Sequence, residues 1–168
     1  MKILDNFLSD DEFTSIQNIF LGQNIPWFFY PFVDFYNENN NSSGFQFVHM
    51  LYENNHGISS GYAKDIINTF KDKLDAYVFL RIKSNLSPNS QSILVNNFHT
   101  DFEGDICEKS YTAIYYVNTN NGYTLFEDGT KVESVGNRIV IFPSHVRHCG
   151  TTCTDAKSRV LINFNYFS

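Results

Sequence analysis

The sequence predicts a mainly β (α+β) protein, an antiparallel sandwich or barrel carrying helices on one side, and three observations predict it. From about residue 93 onward, short runs rich in β-branched and aromatic residues follow one another, separated by Asn, Asp and Gly turn signals. The two stretches with clear helical periodicity both lie in the first half of the chain. At 168 residues the chain has the size of one domain, able to bury roughly two thirds of its unfolded surface.

The elements follow in order. Ser9-Asp10-Asp11-Glu12 is a capping box, since the Ser9 hydroxyl can accept from first-turn amides while Glu12 reaches back to the cap, and Phe13, Ile16, Ile19 and Phe20 follow at helical spacing. The spacing predicts a helix over about 10–21, stopped near Gly22. Residues 26–36, dense in aromatics and broken by Pro26 and Pro31, read as a strand or extended segment with its aromatics buried on a core. The polar run 37–44 (NENNNSSG) is read as a loop tip rather than a substrate lid. GFQFVHMLYE is a buried strand with Phe45, Phe47, His49 and Leu51 on one face and Gln46, Val48, Met50 and Tyr52 on the other, His49 being read as a hydrogen-bonded core histidine. Tyr62, Ile66, Ile67, Phe70 and Leu74 mark an amphipathic helix, and 76–86 alternates as a strand that puts Arg81 and Lys83 on one face, in solvent or in an internal ion pair. Pro88-Asn89-Ser90 breaks the chain. Strands over 111–118, TLFE, about 137–142 and SRVLINFNYF complete it, with Val160, Ile162 and Phe164 alternating against Leu161, Asn163 and Asn165.

Composition narrows the function. A net charge of −6 with only 12 Lys plus Arg lacks the electrostatic footprint of a nucleic-acid binder, so a substrate other than nucleic acid is expected. Three cysteines form an odd set without the density of a secreted disulfide scaffold, and the N-terminus has no apolar signal-peptide core, which reads as cytoplasmic. No run approaches the roughly 20 apolar residues of a membrane span, so no membrane partner is expected. Twenty asparagines among many Phe, Tyr and Ile look like the codon usage of an AT-rich bacterium or its phage.

The stretch 97–159 carries the chemistry. In His99-Thr-Asp101, residues two apart on a strand face the same way and offer an imidazole and a carboxylate to one ion, which His148 can complete. Two histidines and one carboxylate on one face of a metal leave the opposite positions open, an arrangement suited to non-heme Fe(II) oxygenases and unlike a closed structural zinc site. A lone His-x-Asp pair is common by chance, and it is the ordered set that raises the odds. His145, His148, Cys149 and Cys153 fit no common zinc spacing, and His145 is read as a neighbour of the site. Cys149 is read as a small buried thiol, and Glu103, Asp105 and Glu108 as solvated.

These residues resemble the 2-oxoglutarate and Fe(II)-dependent dioxygenases, in the branch that includes prolyl 4-hydroxylases and related phage-type oxygenases. The resemblance covers about 93–167 and rests on His99-Thr-Asp101, on His148 followed by Cys149-Gly150, and on Arg159 eleven residues beyond His148. TAIYYVNTNNGYTLFE and NRIVIFPSHVRHCG are similar to two further blocks of that family. The resemblance implies a double-stranded β-helix (jelly-roll, cupin-like) core at 93–168, with 1–92 supplying N-terminal helices packed on one sheet and substrate-side elements of a single domain. It implies Fe(II) held by His99, Asp101 and His148, and 2-oxoglutarate and O2 as cosubstrates. The far carboxylate of 2-oxoglutarate would meet Arg159, whose planar fork makes two parallel charge-assisted bonds, with Tyr116 and Asn163 as further cosubstrate contacts. Leu161 stands where many members carry Ser or Thr. Retention of the Asp101 carboxylate favours hydroxylation over halogenation. The implied activity is hydroxylation of a peptidyl (prolyl-like) or small-molecule substrate with release of succinate and CO2, the choice of substrate being shaped by the first half of the chain. The alternative reading is a non-catalytic, cupin-like metal-binding β-sandwich.

Overall fold

In a computed structural model, which describes residues 1–33 and 44–168, two antiparallel sheets face each other and two helices cover the outside of the larger one. The larger sheet consists of β1 (Lys2–Leu4), β2 (Phe28–Tyr30), β3 (Gln46–Glu53), β4 (Gly57–Ile58), β5 (Val78–Pro88), β6 (Tyr111–Tyr116), β9 (Arg138–Pro143) and β11 (Ser158–Phe167). Its order is β1-β9-β6-β11-β5-β3-β2, with β4 paired to β3. The smaller sheet, in the order β10-β7-β8, is built from β7 (Tyr123–Phe126), β8 (Lys131–Glu133) and β10 (His148–Gly150). This is the jelly-roll arrangement expected of the chain, with the mouth between the sheets left for a site.

Cross-strand register sorts the side chains of the large sheet into two sets. Ser84 lies opposite His49 and Ile162, and Ile162 opposite Tyr115. These residues face α1 (Asp10–Phe20) and α2 (Ala63–Phe70), where Ile16, Phe20, Ile66 and Phe70 pack against Tyr115, Ile162 and Phe164. Ring centroids of Phe70 lie 4.5 Å from Phe164 and 5.0 Å from Tyr115. Each such aromatic contributes about 1.5–3 kcal/mol by its burial. The alternate set, with Lys83 opposite Met50 and Asn163, and Asn163 opposite Ile114, faces the small sheet. There Ile114, Tyr116, Val140, Phe142 and Leu161 pack against Phe126 and Val132. Because β11 is covered on both sides, every residue from Arg159 to Tyr166 is buried.

The Ser9–Glu12 capping box forms as expected, and Leu21 caps the other end of α1. His49 is a core histidine whose ring nitrogens lie 2.8 Å from the Pro26 carbonyl and 2.7 Å from Ser60 Oγ.

Several expectations need correction. Phe28, Phe29 and Tyr30 are exposed at 61%, 61% and 46%, rather than buried, because β2 is the edge strand of the large sheet and only its β3 side is paired. Residues 34–36 of that aromatic segment and 37–43 of the polar run lie outside the described residues. The alternation of β3 breaks at a bulge between Met50 and Tyr52, so Tyr52 joins Leu51 against the helix-side core. Helices are not confined to the first half, since α3 (Asp105–Lys109) forms a single short turn after the His99–Asp101 segment. Strand β5 continues through Pro88, whose missing N–H is tolerated at the strand end. Strands β1 and β8 are too short to carry a period of their own, and pairing with β9 and β7 is what makes them strands.

Candidate metal centre and cosubstrate pocket

His99 and His148 are direct cross-strand partners. Their backbones exchange two hydrogen bonds of 3.0 Å each in an isolated bridge, so the segment bearing His99 and Asp101 is extended chain pinned by single bridges rather than a regular strand. His148 opens β10. Each imidazole has Nδ1 3.2 Å from a carbonyl two residues back, Asn97 O for His99 and Val146 O for His148. Donation of Nδ1–H to those carbonyls puts the lone pair of each ring on Nε2, the atom that would ligate. Among the described residues, the donor atoms of His99, Asp101 and His148 are the set that lies together, all within 4.8 Å of one another.

Asp101 is buried and held from several sides. Arg81 Nη2 donates to Oδ1 at 2.8 Å, and Asn165 Nδ2 donates to Oδ2 at 2.9 Å. Asn163 Nδ2 reaches both oxygens at 3.4 and 3.2 Å, and Thr112 Oγ1 donates to Oδ2 at 3.3 Å. Burial alone would raise the carboxyl pKa, but His148, Arg81, Lys83 and the Asn165 hydrogen bond outweigh it and hold Asp101 below the usual carboxylate range. Burial pulls the His148 imidazole below its ordinary value against the pull of Asp101. An ionised carboxylate and neutral imidazoles are the forms that bind a divalent cation, and with N and O donors gathered at the edge of a cavity they fit Fe(II).

Arg159 lies in the same cavity, which is also lined by His99, Asp101, His148, Thr124 and Asn163. Its side chain is 2% exposed, with Nε donating to Ser134 Oγ at 2.7 Å and Nη2 to Thr124 Oγ1 at 3.1 Å. Its guanidinium sits 5.6 Å from the Tyr116 ring centre, and Tyr116 OH donates to the same Thr124 hydroxyl at 2.8 Å. Burial lowers the Arg159 pKa, yet a guanidinium remains a cation. Gly122 is required by close approach, since a Cβ there would stand 2.7 Å from Arg159 Cδ and 2.8 Å from the Thr152 carbonyl. The Gly122-Tyr-Thr124-Leu-Phe126 run thus has a packing reason at each alternate position, with Phe126 6.2 Å from the His148 ring.

The sequence-predicted residues therefore meet in one place, with Asn163 on the Asp101 carboxylate and Tyr116 beside Arg159. His145 lies apart, 3.6 Å from the exposed Glu108, and Glu103, Asp105 and Glu108 are exposed. Cys107, Cys149 and Cys153 are buried cysteines. Sequence reasoning missed Thr112, Thr124, Ser134 and Asn165 as supports. The alternation of Asn163 and Asn165 with apolar residues was the available signal for Asn165.

The chain matches no family model and no curated protein by sequence. Its fold is nonetheless that of 2-oxoglutarate and Fe(II)-dependent oxygenases. It is similar to a Trichoplax adhaerens prolyl hydroxylase solved with a hypoxia-inducible-factor peptide fragment, at 16% identity and TM-score 0.67, over 99% of this chain and 82% of that one. It is similar to a viral collagen prolyl hydroxylase from Paramecium Bursaria Chlorella virus-1, solved with 2-oxoglutarate, at 17% identity and TM-score 0.58, over 99% and 94%. It is also similar to an oxidoreductase of the 2OG-Fe(II) oxygenase family from Burkholderia pseudomallei, at 10% identity and TM-score 0.67, over 98% and 84%.

Proposed function

We propose that the protein is a 2-oxoglutarate- and Fe(II)-dependent dioxygenase that hydroxylates a C–H bond of a peptidyl or small-molecule substrate. The observation that carries this reading is the single cavity lined by His99, Asp101 and His148 together with Arg159, a metal-type donor set and a buried cation facing one space. The oxygenase fold shared with prolyl hydroxylases supports it. When bound, iron supplies the activation of O2 that couples oxidation of 2-oxoglutarate to that of the substrate. One oxygen atom enters the new hydroxyl and the other the succinate, with CO2 released.

The chain's own residues do the remainder. His99, Asp101 and His148 would hold the metal through two imidazoles and one carboxylate, a donor set suited to Fe(II). Arg81, Asn165, Asn163 and Thr112 orient the Asp101 carboxylate, and the two backbone carbonyls set the imidazole tautomers. Arg159 receives the far carboxylate of 2-oxoglutarate, with Thr124 and Ser134 aiming the guanidinium and Tyr116 packing beside it. Ile114 and Leu161 line that pocket and exclude water from the ion pair.

The test is anaerobic titration with Fe(II) and then 2-oxoglutarate, read by the visible charge-transfer band of the chelate. The band is expected in the parent protein and lost with the metal in His99→Ala. Arg159→Ala should weaken 2-oxoglutarate by about 2–4 kcal/mol, roughly 30- to 1,000-fold, while iron affinity changes little. No band in the parent, or equal losses of both ligands in Arg159→Ala, would overturn the assignment.

A further inference from the structure

A second cavity, of about 200 Å3, adjoins the candidate metal donors, and among the described residues its walls are Tyr30, Val33, Val48 and Met50 with Arg81, Lys83, His99 and Asp101, without Arg159. Lys83 lines both this cavity and the cosubstrate pocket. We propose that this outer cavity binds the substrate, and that the substrate is a small carboxylic acid with an apolar body whose carboxylate pairs with Lys83. The proposal rests on the dioxygenase reading and names the substrate class of the same site.

The argument is one of charge and space. Among the described residues, the walls of the two cavities carry three cations, Arg81, Lys83 and Arg159, and one anion, Asp101. Arg81 is taken by Asp101 at 2.8 Å. Arg159 is the cation for the far carboxylate of 2-oxoglutarate, whose keto-acid end belongs to the metal. Lys83 is left over, making no hydrogen bond or ion pair among the described residues. Burial drives its pKa down to about 8, with Arg81 adding to the effect and Asp101 opposing it. A half-buried ammonium without a counter-charge is poorly compensated for the hydration it has lost, and a neutral substrate would bury it further. A carboxylate arriving with the substrate supplies that compensation.

Register explains why Lys83 faces the ligand. It stands between Met50 on β3 and Asn163 on β11, in the row that faces the smaller sheet. The cavity is somewhat larger than one of about 150 Å3 that accepts benzene, so an apolar body of roughly eight non-hydrogen atoms fits against Val48, Met50, Val33 and Tyr30.

The test uses the full chain loaded with Mn(II) and titrated calorimetrically, first with 2-oxoglutarate and then, at saturation, with 4-methylpentanoate or 4-methylpentanamide. The acid is expected to bind at least tenfold more tightly than the amide. That preference should fall to within twofold in Lys83→Met and persist in Lys83→Arg, with 2-oxoglutarate affinity changed less than threefold in Lys83→Met. Equal or absent binding of acid and amide in the parent overturns the proposal, as does an acid preference that survives Lys83→Met, which would place the carboxylate elsewhere. A loss of 2-oxoglutarate in Lys83→Met as large as in Arg159→Ala would assign Lys83 to the cosubstrate instead. Failure of the parent to bind 2-oxoglutarate in the first titration would sink the dioxygenase reading itself, whereas the preceding outcomes leave it standing.

Discussion

At the scale of one residue, Lys83 places a charge where it costs stability. Its ammonium is half-buried near Arg81, and the folded-state pKa is lowered to about 8 from an ordinary 10.5. Below pH 8 both folded and unfolded chains carry the proton and the full cost of burying the charge is present. Between pH 8 and 10.5 the unfolded chain holds a proton that the folded chain has released, so stability rises with pH across that window. Lys83→Met, which keeps the length of the stem and removes the charge, should stabilise the protein at pH 7 by on the order of 1–3 kcal/mol and flatten the rise. Urea denaturation of both proteins at pH 7, 8, 9 and 10 measures this. A variant no more stable than the parent at pH 7 would mean that the ammonium is already solvated or paired.

At the scale of elements, the turn from β6 into β7 decides how Arg159 is aimed. Asn120 Oδ1 accepts from Gly122 N at 3.0 Å, tightening the turn, and Gly122 then passes so close to the Arg159 stem that no side chain fits. Two residues on, Thr124 in β7 meets the guanidinium and Tyr116 of β6 together. Gly122→Ala should therefore destabilise the fold by about 1–3 kcal/mol through overpacking and weaken 2-oxoglutarate at least tenfold. Fe(II) affinity should stay within threefold, because His99, Asp101 and His148 come from other segments. Denaturant midpoints and the anaerobic titration check the two halves separately, and an unaltered 2-oxoglutarate affinity would show that the turn does not aim the arginine.

Across the whole molecule, the large sheet separates a structural layer from a chemical one. The helices cover one face, where Phe70 packs on Phe164, Tyr115 and Phe7, while the candidate metal donors, Arg159 and Lys83 line a cavity on the other side. Phe70→Ala should cost about 3–5 kcal/mol of stability, yet leave metal and 2-oxoglutarate affinities of the folded fraction within about threefold. Thermal melting with and without ligand, together with titration at low temperature, makes the comparison. A collapse of ligand affinity in folded protein would show that the two layers are not independent.

The sequence by itself determined the capped first helix and the mainly β class, and it picked out the candidate donor set and the arginine that shares its cavity, because these depend on residue type, short-range period or a characteristic spacing. His99-x-Asp101, His148 and Arg159 were legible as a set, and so was the hydrogen-bonded role of His49. Only the tertiary structure decided which residues surround that set. Whether Arg81 pairs with Asp101, and whether Asn165 supports them both, depends on a cross-strand register that joins positions 84 apart in the chain. A bulge in β3 shifts which side chains face the cavity, and edge position rather than composition leaves the β2 aromatics exposed. Period along a strand says that residues alternate, but which face meets the cavity is set by partners that the local sequence does not contain.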